Sequence, residues 1–269
     1  MLVIDGDSLA HRAYHALPKS IRRAGARPGN MIVGFGNVLL RLYDAEEPAA
    51  VLAAWDSLAV PNFRSKLLPG YQFGRVFDEP LLEQLDLLPE LVSSFGFANA
   101  KEPGFEADDF LAAAVAAWSG PVEIATSDRD AFQLVSDRVT VLQPVKGGGP
   151  PLRIGPDGVR ERYGVSPEQV VDFIALRGDS SDRIPGAKGV GPKTAADLLR
   201  EYGTLEAALE AGRFAPIADD LRLYRRVATM DASAPLPALG RQEPDWSGAA
   251  AHARELGVNG LAARIAERM

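Results

Sequence analysis

Cysteine is absent from the 269 residues, and histidine occurs only three times. Disulfides and thiolate metal sites are therefore excluded, and nothing ties the chain to an oxidising compartment. Long apolar runs are missing too. The longest, Phe110 to Trp118, falls far short of the roughly 18 residues that a membrane helix needs. The opening Met1-Leu2-Val3-Ile4-Asp5-Gly6-Asp7 has no basic segment and places acids where a secretion signal would be apolar. The sequence thus predicts no export, no membrane association and a cytoplasmic protein. Positive charge is the last shortage: 29 Lys and Arg stand against 36 Asp and Glu, a net charge of −7. Taken alone, that argues against a nucleic-acid binder, whose surface is expected to be basic.

What is present reads as an ordinary globular protein, with 46% hydrophobic and 24% charged residues. The length suits one large domain or two unequal ones. Up to about Pro144, apolar β-rich runs at Leu2 to Ile4, Ala49 to Trp55, Val122 to Ala125 and Val139 to Leu142 alternate with helical patterns at Ile32 to Tyr43, Leu81 to Phe95 and Glu106 to Trp118. That alternation predicts an α/β fold with a mostly parallel central sheet flanked by helices. After Gly147-Gly148-Gly149-Pro150-Pro151 the pattern turns helical: Pro156 to Tyr163, Pro167 to Leu176, Lys193 to Glu201 and Leu205 to Ala211. We place a boundary there, with an α/β domain over 1–154 and a helical domain over 155–269. The connector Ala234 to Trp246 looks irregular, and Ala250 to Met269 reads as packing helices. Nothing calls for an obligate partner subunit, so a monomer is expected.

Acids recur at the ends of these elements: Asp5; Asp56; Glu106, Asp108 and Asp109; Asp128 and Asp130; Asp179 and Asp182. In open α/β sheets ligands bind beyond the carboxyl ends of the strands, where Asp5, Asp56, Thr126 and Asp128 fall. Carboxylates brought within a few ångströms repel one another by about 4 kcal/mol per pair at an effective dielectric constant near 20. A cation must hold them. With hard oxygen donors and no thiolate, Mg²⁺ or Mn²⁺ is the expected occupant. Two such ions suit phosphodiester hydrolysis. For any single acid, capping a helix or ending a strand explains as much; nine acids in this arrangement are not explained that way.

A second segment runs from Gly178 to Thr194, with Gly189-Val190-Gly191 ahead of a helix, and it reads as a helix-hairpin-helix over about 184–200. Glycines there let backbone N–H groups approach a phosphate, and Lys188, Lys193 and Thr194 add side-chain donors. The competing explanation is a plain Gly-rich helix connection. Pro192 between Gly191 and Lys193 excludes a Walker A loop. Further basic groups at Arg12, Arg22, Arg23 and Arg27, and at Arg64, Lys66 and Arg75, are candidates to meet phosphates. Setting the nine site acids aside leaves 27 acidic against 29 basic residues, a remainder of +2, so the negative charge lies largely in the metal site.

These groups, in this order, resemble the 5′-nuclease (flap endonuclease) family, including the N-terminal 5′-3′ exonuclease domain of bacterial DNA polymerase I. The matching segments are Val3 to Gly6 with Arg12 to Leu17, Trp55-Asp56, Phe63-Arg64, Tyr71 to Arg75, Glu102 to Asp109, Thr126 to Asp137 and Ala175 to Leu199. The resemblance implies a PIN-like catalytic core, a helical arch at about 61–85, and a C-terminal helix-hairpin-helix that grips duplex DNA, with K⁺ in its hairpin. It implies that Asp5, Asp56, Glu106 and Asp108 hold one metal and Asp128, Asp130, Asp179 and Asp182 a second, some through water, with a less defined part for Asp109. The substrate it implies is DNA with 5′ flaps or 5′ ends. With no polymerase segment after residue 269, the expectation is a stand-alone version.

Two departures stand out. Where the family's Tyr-Lys-x-Gly-Arg carries lysine, this chain has Gln72 in Tyr71-Gln72-Phe73-Gly74-Arg75, so a transition-state charge is missing: either Arg75 bears more of that role or activity is reduced, and Arg64 is a further catalytic candidate. Arg183 stands where asparagine usually follows Ser-Asp. Two rival explanations are a DNA-binding protein with reduced catalysis, favoured by Gln72, and a haloacid-dehalogenase-type phosphatase with Asp5 as nucleophile and Asp7 as acid. The phosphatase leaves Asp56, Glu106, Asp108 and Asp130 without work.

Overall fold

The computed structural model describes residues 1–57, 60–72, 74 and 76–269. Its elements, in chain order, are β1 (Leu2–Asp5), α1 (Gly6–Ala16), α2 (Asn30–Glu46), β2 (Val51–Ala54), α3 (Phe63–Leu67), α4 (Glu79–Leu85), α5 (Leu88–Ser94), β3 (Ala98–Ala100), α6 (Ala107–Ala117), β4 (Val122–Ala125), β5 (Val139–Gln143) and β6 (Leu152–Ile154). There follow α7 (Pro156–Tyr163), α8 (Val170–Arg177), α9 (Pro192–Tyr202), α10 (Leu205–Glu210), α11 (Ala218–Ala228), α12 (Trp246–Glu255) and α13 (Asn259–Ala266).

The six strands form one sheet in the order β3-β2-β1-β4-β5-β6. The first five run parallel, and β6 closes the edge antiparallel to β5. β1 and β2 are buried along their whole length, which is why they read as continuous apolar runs rather than alternating ones. Successive residues still point to opposite faces. Val3, Leu52 and Ala54 join the core beneath α6, α8 and α9, whereas Leu2, Ile4, Val51 and Ala53 join the core beneath α1, α2 and α5. The strand order turns back at β1, whose neighbours are β2 and β4, so a crevice opens beyond the carboxyl ends of these three strands.

The expected helix from Leu81 to Phe95 is two helices. Pro89 removes an N–H and crowds the carbonyl four residues before it, and the chain breaks between Leu85 and Leu88. Within the expected helical domain over 155–269 the helices cover both sides of the sheet. Helices α7 to α11 pack on the α6 side, but α12 and α13 return to the opposite side, where Ala249, Ala253, Leu261 and Ile265 cover α2 and α5. The irregular connector that carries them back crosses the start of β2. There Gln242 N donates to Ala49 O at 2.9 Å, Val51 N to Gln242 Oε1 at 2.8 Å, and Asp245 N to Phe95 O at 2.9 Å. The sheet needs both faces covered, and the tail supplies part of the second. Among the described residues, no helix is long and apolar enough to cross a membrane.

Candidate active site

Asp5 ends β1 and caps α1. Its carboxylate accepts from Ser8 N at 3.0 Å and from Thr126 Oγ1, at the end of β4, at 2.5 Å. The next residue has to be glycine: a Cβ on Gly6 would lie 2.4 Å from Trp55 Cε3, inside the ring that follows β2. From there the acids are linked through backbone N–H groups. Asp56 N donates to Asp7 Oδ2 at 2.7 Å, and Ala107 N, in the first turn of α6, donates to Asp56 Oδ1 at 2.8 Å. On the β4 side, Asp128 N donates to Thr126 Oγ1 and Asp130 N to Asp128 Oδ1, each at 2.9 Å.

The last two acids come from the loop after α8. Gly178 (φ +79°) and Gly186 (φ +68°) approach so closely that a Cβ on Gly186 would meet Gly178 N at 2.4 Å. This pinch, with the Asp179–Ile184 bridge, folds residues 178–187 back on themselves and turns Asp179 and Asp182 toward the sheet edge. Arg177 Nη2 donates to Asp179 Oδ2 at 2.8 Å.

The result is a cavity of about 580 Å³ lined by Asp5, Asp7, Asp56, Glu106, Asp108, Asp128, Asp130, Asp179 and Asp182, with Gln72, Ser127, Arg129, Tyr163 and Arg177 among the other wall residues. Eight of the nine acids picked from the sequence are brought together. Asp109 is not. It is fully buried, and both its oxygens bond Arg64, at 2.9 Å to Nη1 and 2.6 Å to Nη2; Glu106 N and Asp231 N donate to it as well. Arg64, expected near the chemistry, is turned away from the cavity and also holds Glu106 Oε2 at 2.7 Å. The two residues form a clamp behind the site. The ninth acid of the wall is Asp7. Its signal was its place two residues after Asp5 in Asp5-Gly6-Asp7, which the sequence analysis used only for the phosphatase alternative.

Gln72 lies at the wall. Its amide donates to Asp182 Oδ1 and to the Tyr71 hydroxyl, both at 3.0 Å, and Tyr71 in turn donates to Glu106 Oε2 at 3.1 Å. Tyr71 and Gln72, in the segment expected as an arch, thus bridge Glu106, the N-cap of α6, to Asp182 of the 178–187 loop. Arg75 lies outside the described residues. Tyr71, buried in this bridge, was quoted in the sequence only as part of a motif.

Burial and crowding push the carboxyls up. Asp5 rises to about 7, first by loss of water and then by repulsion from Asp56 and Asp128, against the stabilising bonds of Thr126 and Ser8. Glu106 also rises to about 7 by burial, opposed by Arg64. Asp7, Asp108 and Asp130 are pushed well above the ordinary range, by burial first and neighbouring carboxylates second. Such a cavity holds negative charge only at a cost that a cation offsets. Among the described residues no three side chains form a ready-made metal cage. The donor set still fits hard divalent ions: it is all oxygen, and the buried Ser127 Oγ has no hydrogen-bond partner among the described residues.

The basic candidates divide. Arg23 and Arg27 both bind Glu83, at 2.5 and 3.2 Å, and tie the loop after α1 to α4. Arg12 is half-buried on α1, and Arg22 is exposed beside Lys19 and Asp78 at a second hollow. Lys66 is exposed on α3. Lys188, Gly189, Lys193 and Thr194 are exposed together with the half-exposed Gly191, which starts α9.

Two family models match consecutive parts of the chain: the N-terminal resolvase-like domain of 5′-3′ exonucleases over residues 1–164, and their C-terminal SAM fold over residues 165–245. DNA polymerase I of Deinococcus radiodurans is 42% identical over 224 residues, 82% of this chain and 23% of that protein. The thermostable DNA polymerase I of Thermus aquaticus is 40% identical over 260 residues, 91% of this chain and 30% of that protein. The chain therefore spans between about a quarter and a third of the length of these relatives. Among solved structures, the T5 D15 protein co-crystallised with metal ions shares the fold with a TM-score of 0.71 at 17% identity, covering 99% of this chain and 98% of that one. Human GEN1 in complex with Holliday junction DNA does so with a TM-score of 0.61 at 14% identity, covering 98% and 70%. With both family models matched end to end over residues 1–245, the chain belongs to the 5′-3′ exonuclease family.

Proposed function

We propose that this protein is a structure-specific 5′-3′ exonuclease and flap endonuclease that hydrolyses DNA phosphodiesters with two divalent ions, Mg²⁺ or Mn²⁺. The observation that carries this reading is the single cavity of nine acids at the sheet's switch point, with the glycine hairpin ahead of α9 exposed in the same molecule. Asp5, Asp56, Glu106 and Asp108 would hold one ion, and Asp128, Asp130, Asp179 and Asp182 the other, directly or through water. Bound there, the ions would supply an activated water and neutralise charge on the leaving oxygen.

The chain's own residues set up that site. Thr126 and Ser8 fix Asp5, Asp7 and the start of α6 orient Asp56, and the Arg64 clamp holds Glu106. Backbone N–H groups at the start of α9, with Lys193 and Thr194, would bind duplex phosphates without reading sequence, K⁺ being a candidate occupant of that hairpin. In the division of labour we propose, residues 1–154 cut, the segment at about 61–85 receives the 5′ end, and the helices α7 to α11 hold the duplex. The T5 D15 protein was crystallised with metal ions and human GEN1 with Holliday junction DNA, and both share this fold.

The test is cleavage of a labelled 5′-flap duplex with Mg²⁺ or Mn²⁺, compared with EDTA and with a blunt duplex. Metal-dependent cutting at the flap junction is expected. Junction binding without cutting under any metal would favour the non-catalytic alternative. Neither binding nor cutting, with turnover of a small phosphomonoester that Asp7→Asn abolishes, would favour the phosphatase.

A further inference from the structure

A cavity walled by acids has to accept a phosphodiester, which is itself an anion, and bound cations leave open which protein group orients it. Among the described residues, three wall side chains can carry positive charge: His11, Arg129 and Arg177. His11 packs its ring against Phe77, with centroids 5.1 Å apart. Arg177 is committed: beyond its bond to Asp179, its Nε donates to Gly178 O at 2.9 Å and its guanidinium lies 5.2 Å from the Phe173 ring centre.

Arg129 is placed differently. It is exposed, it stands between Asp128 and Asp130 just beyond β4, and its guanidinium makes no hydrogen bond or ion pair among the described residues. Its backbone, by contrast, is fixed. Phe132 N donates to Arg129 O at 3.0 Å, and Asp130 N binds Asp128 Oδ1 one residue away. A rigid base with an unengaged planar fork at the wall is the arrangement that bidentate phosphate recognition requires.

We propose that Arg129 is the phosphate-binding arginine of this cavity, contacting non-bridging oxygens of the phosphodiester that is cut. The proposal rests on reading the cavity as a DNA-hydrolysing site. It relocates to the end of β4 a charge that the sequence lacks at Gln72. The alternative is that Arg129 only offsets the charge of its two acidic neighbours. In that case its removal would change how much metal the site needs, not the rate once metal is saturating.

The experiment is single-turnover cleavage of the 5′-flap duplex at saturating Mg²⁺ by wild type, Arg129→Ala and Arg129→Lys. Because the side chain is exposed, the variants should keep the wild-type near-ultraviolet circular dichroism. Arg129→Ala should be slower by roughly 10- to 100-fold, the range for losing one charged hydrogen-bond donor, and Arg129→Lys should recover part of it. Millimolar guanidinium ion should speed Arg129→Ala and leave wild type unchanged. In the logarithmic salt dependence of flap binding, the slope for Arg129→Ala should be shallower by about one phosphate contact. A wild-type rate in Arg129→Ala, or a deficit that additional Mg²⁺ alone removes, would overturn the proposal. If wild type binds the flap without cutting it, the proposed function falls, and the salt slope then decides Arg129 by itself: an unchanged slope overturns it.

Discussion

Arg64 uses all five of its donors inside the protein: Nε to Val227 O, Nη1 to Glu106 and Asp109, Nη2 to Asp109 and Thr229 O. Sequence alone placed it with the chemistry because it is basic and lies in a matching motif; only burial separates a clamp from a catalytic cation. Removing it strands a carboxylate with no access to water. Arg64→Ala should therefore cost about 3–5 kcal/mol, the range for breaking a buried ion pair from one side, read as a lower urea midpoint. Arg64→Lys should recover little, since an ammonium cannot reproduce the fork. A midpoint within error of wild type would show that the clamp does not hold the fold. The wall acids predict the reverse pattern. Asp128→Asn and Asp179→Asn should each slow cleavage by more than about 100-fold, beyond what loss of a residue that merely supports a metal ligand costs, while folding and duplex binding persist. Full activity in either variant removes that residue from the metal site.

At Gln72 the expectation from the sequence and the geometry point to different things. The resemblance implies a lysine and so a missing charge, whereas the structure gives the amide a bond to Asp182 and another to Tyr71. A lysine there keeps a donor and adds charge where a phosphate would enter, so Gln72→Lys should preserve or raise the cleavage rate. A clear loss would mean that the amide's two bonds, rather than its neutrality, are what the site needs.

At the scale of elements, legibility followed local chemistry. β1 and β2 were readable because strands buried on both faces are near-continuous apolar runs, and β4 and β5 because Val122, Ile124, Val139, Thr140 and Val141 make β-branched runs. β3 is Ala98-Asn99-Ala100, with no β-branched or aromatic residue to mark it, and β6 is a three-residue edge. α1 went unread although Leu9, Ala10, Ala13 and Tyr14 keep helical spacing, because its other face carries the polar residues of the site. The acids themselves were legible, since strand ends and helix starts have strong signals. Asp109 was grouped with the cavity acids because it shares the start of α6 with Asp108 and the N-cap Glu106, and nothing in the sequence says which face of the first turn meets the cavity.

The loop after α8 offers a sharper test of an element. Gly186 needs both a left-handed backbone and the absence of a Cβ, whereas Gly191 has open space and an ordinary φ. Gly186→Ala pays at least the 1–2 kcal/mol of that conformation, estimated per residue, and adds a clash with Gly178. It should lower the thermal midpoint and move Asp179 and Asp182, slowing cleavage. Gly191→Ala should leave the midpoint nearly unchanged. Equal midpoints for the two would show that the pinch does not shape the site.

The whole molecule folds by gathering nine carboxyls into one cavity, and its stability must register that. In the folded chain burial and crowding push Asp5 and Glu106 up to about 7 and hold Asp7, Asp108 and Asp130 well above the ordinary carboxylate range, whereas in the unfolded chain all five sit in that range, near 4. Between those values the folded state binds more protons than the unfolded one, so stability falls as pH rises. The loss begins above about pH 4 and, for Asp5 and Glu106, is complete a little above 7. Divalent ions held by the deprotonated site, as proposed, would oppose the trend and add stability that grows with pH. In EDTA, the thermal midpoint should therefore be lower at pH 8 than at pH 6. With millimolar Mg²⁺ or Mn²⁺ the difference should shrink or reverse, and the variants Asp128→Asn and Asp179→Asn should respond less to the metal. A midpoint that is flat from pH 6 to pH 8 in EDTA and indifferent to both ions would mean that these acids neither repel one another nor share a cation, and the two-ion reading of the cavity would fail with them.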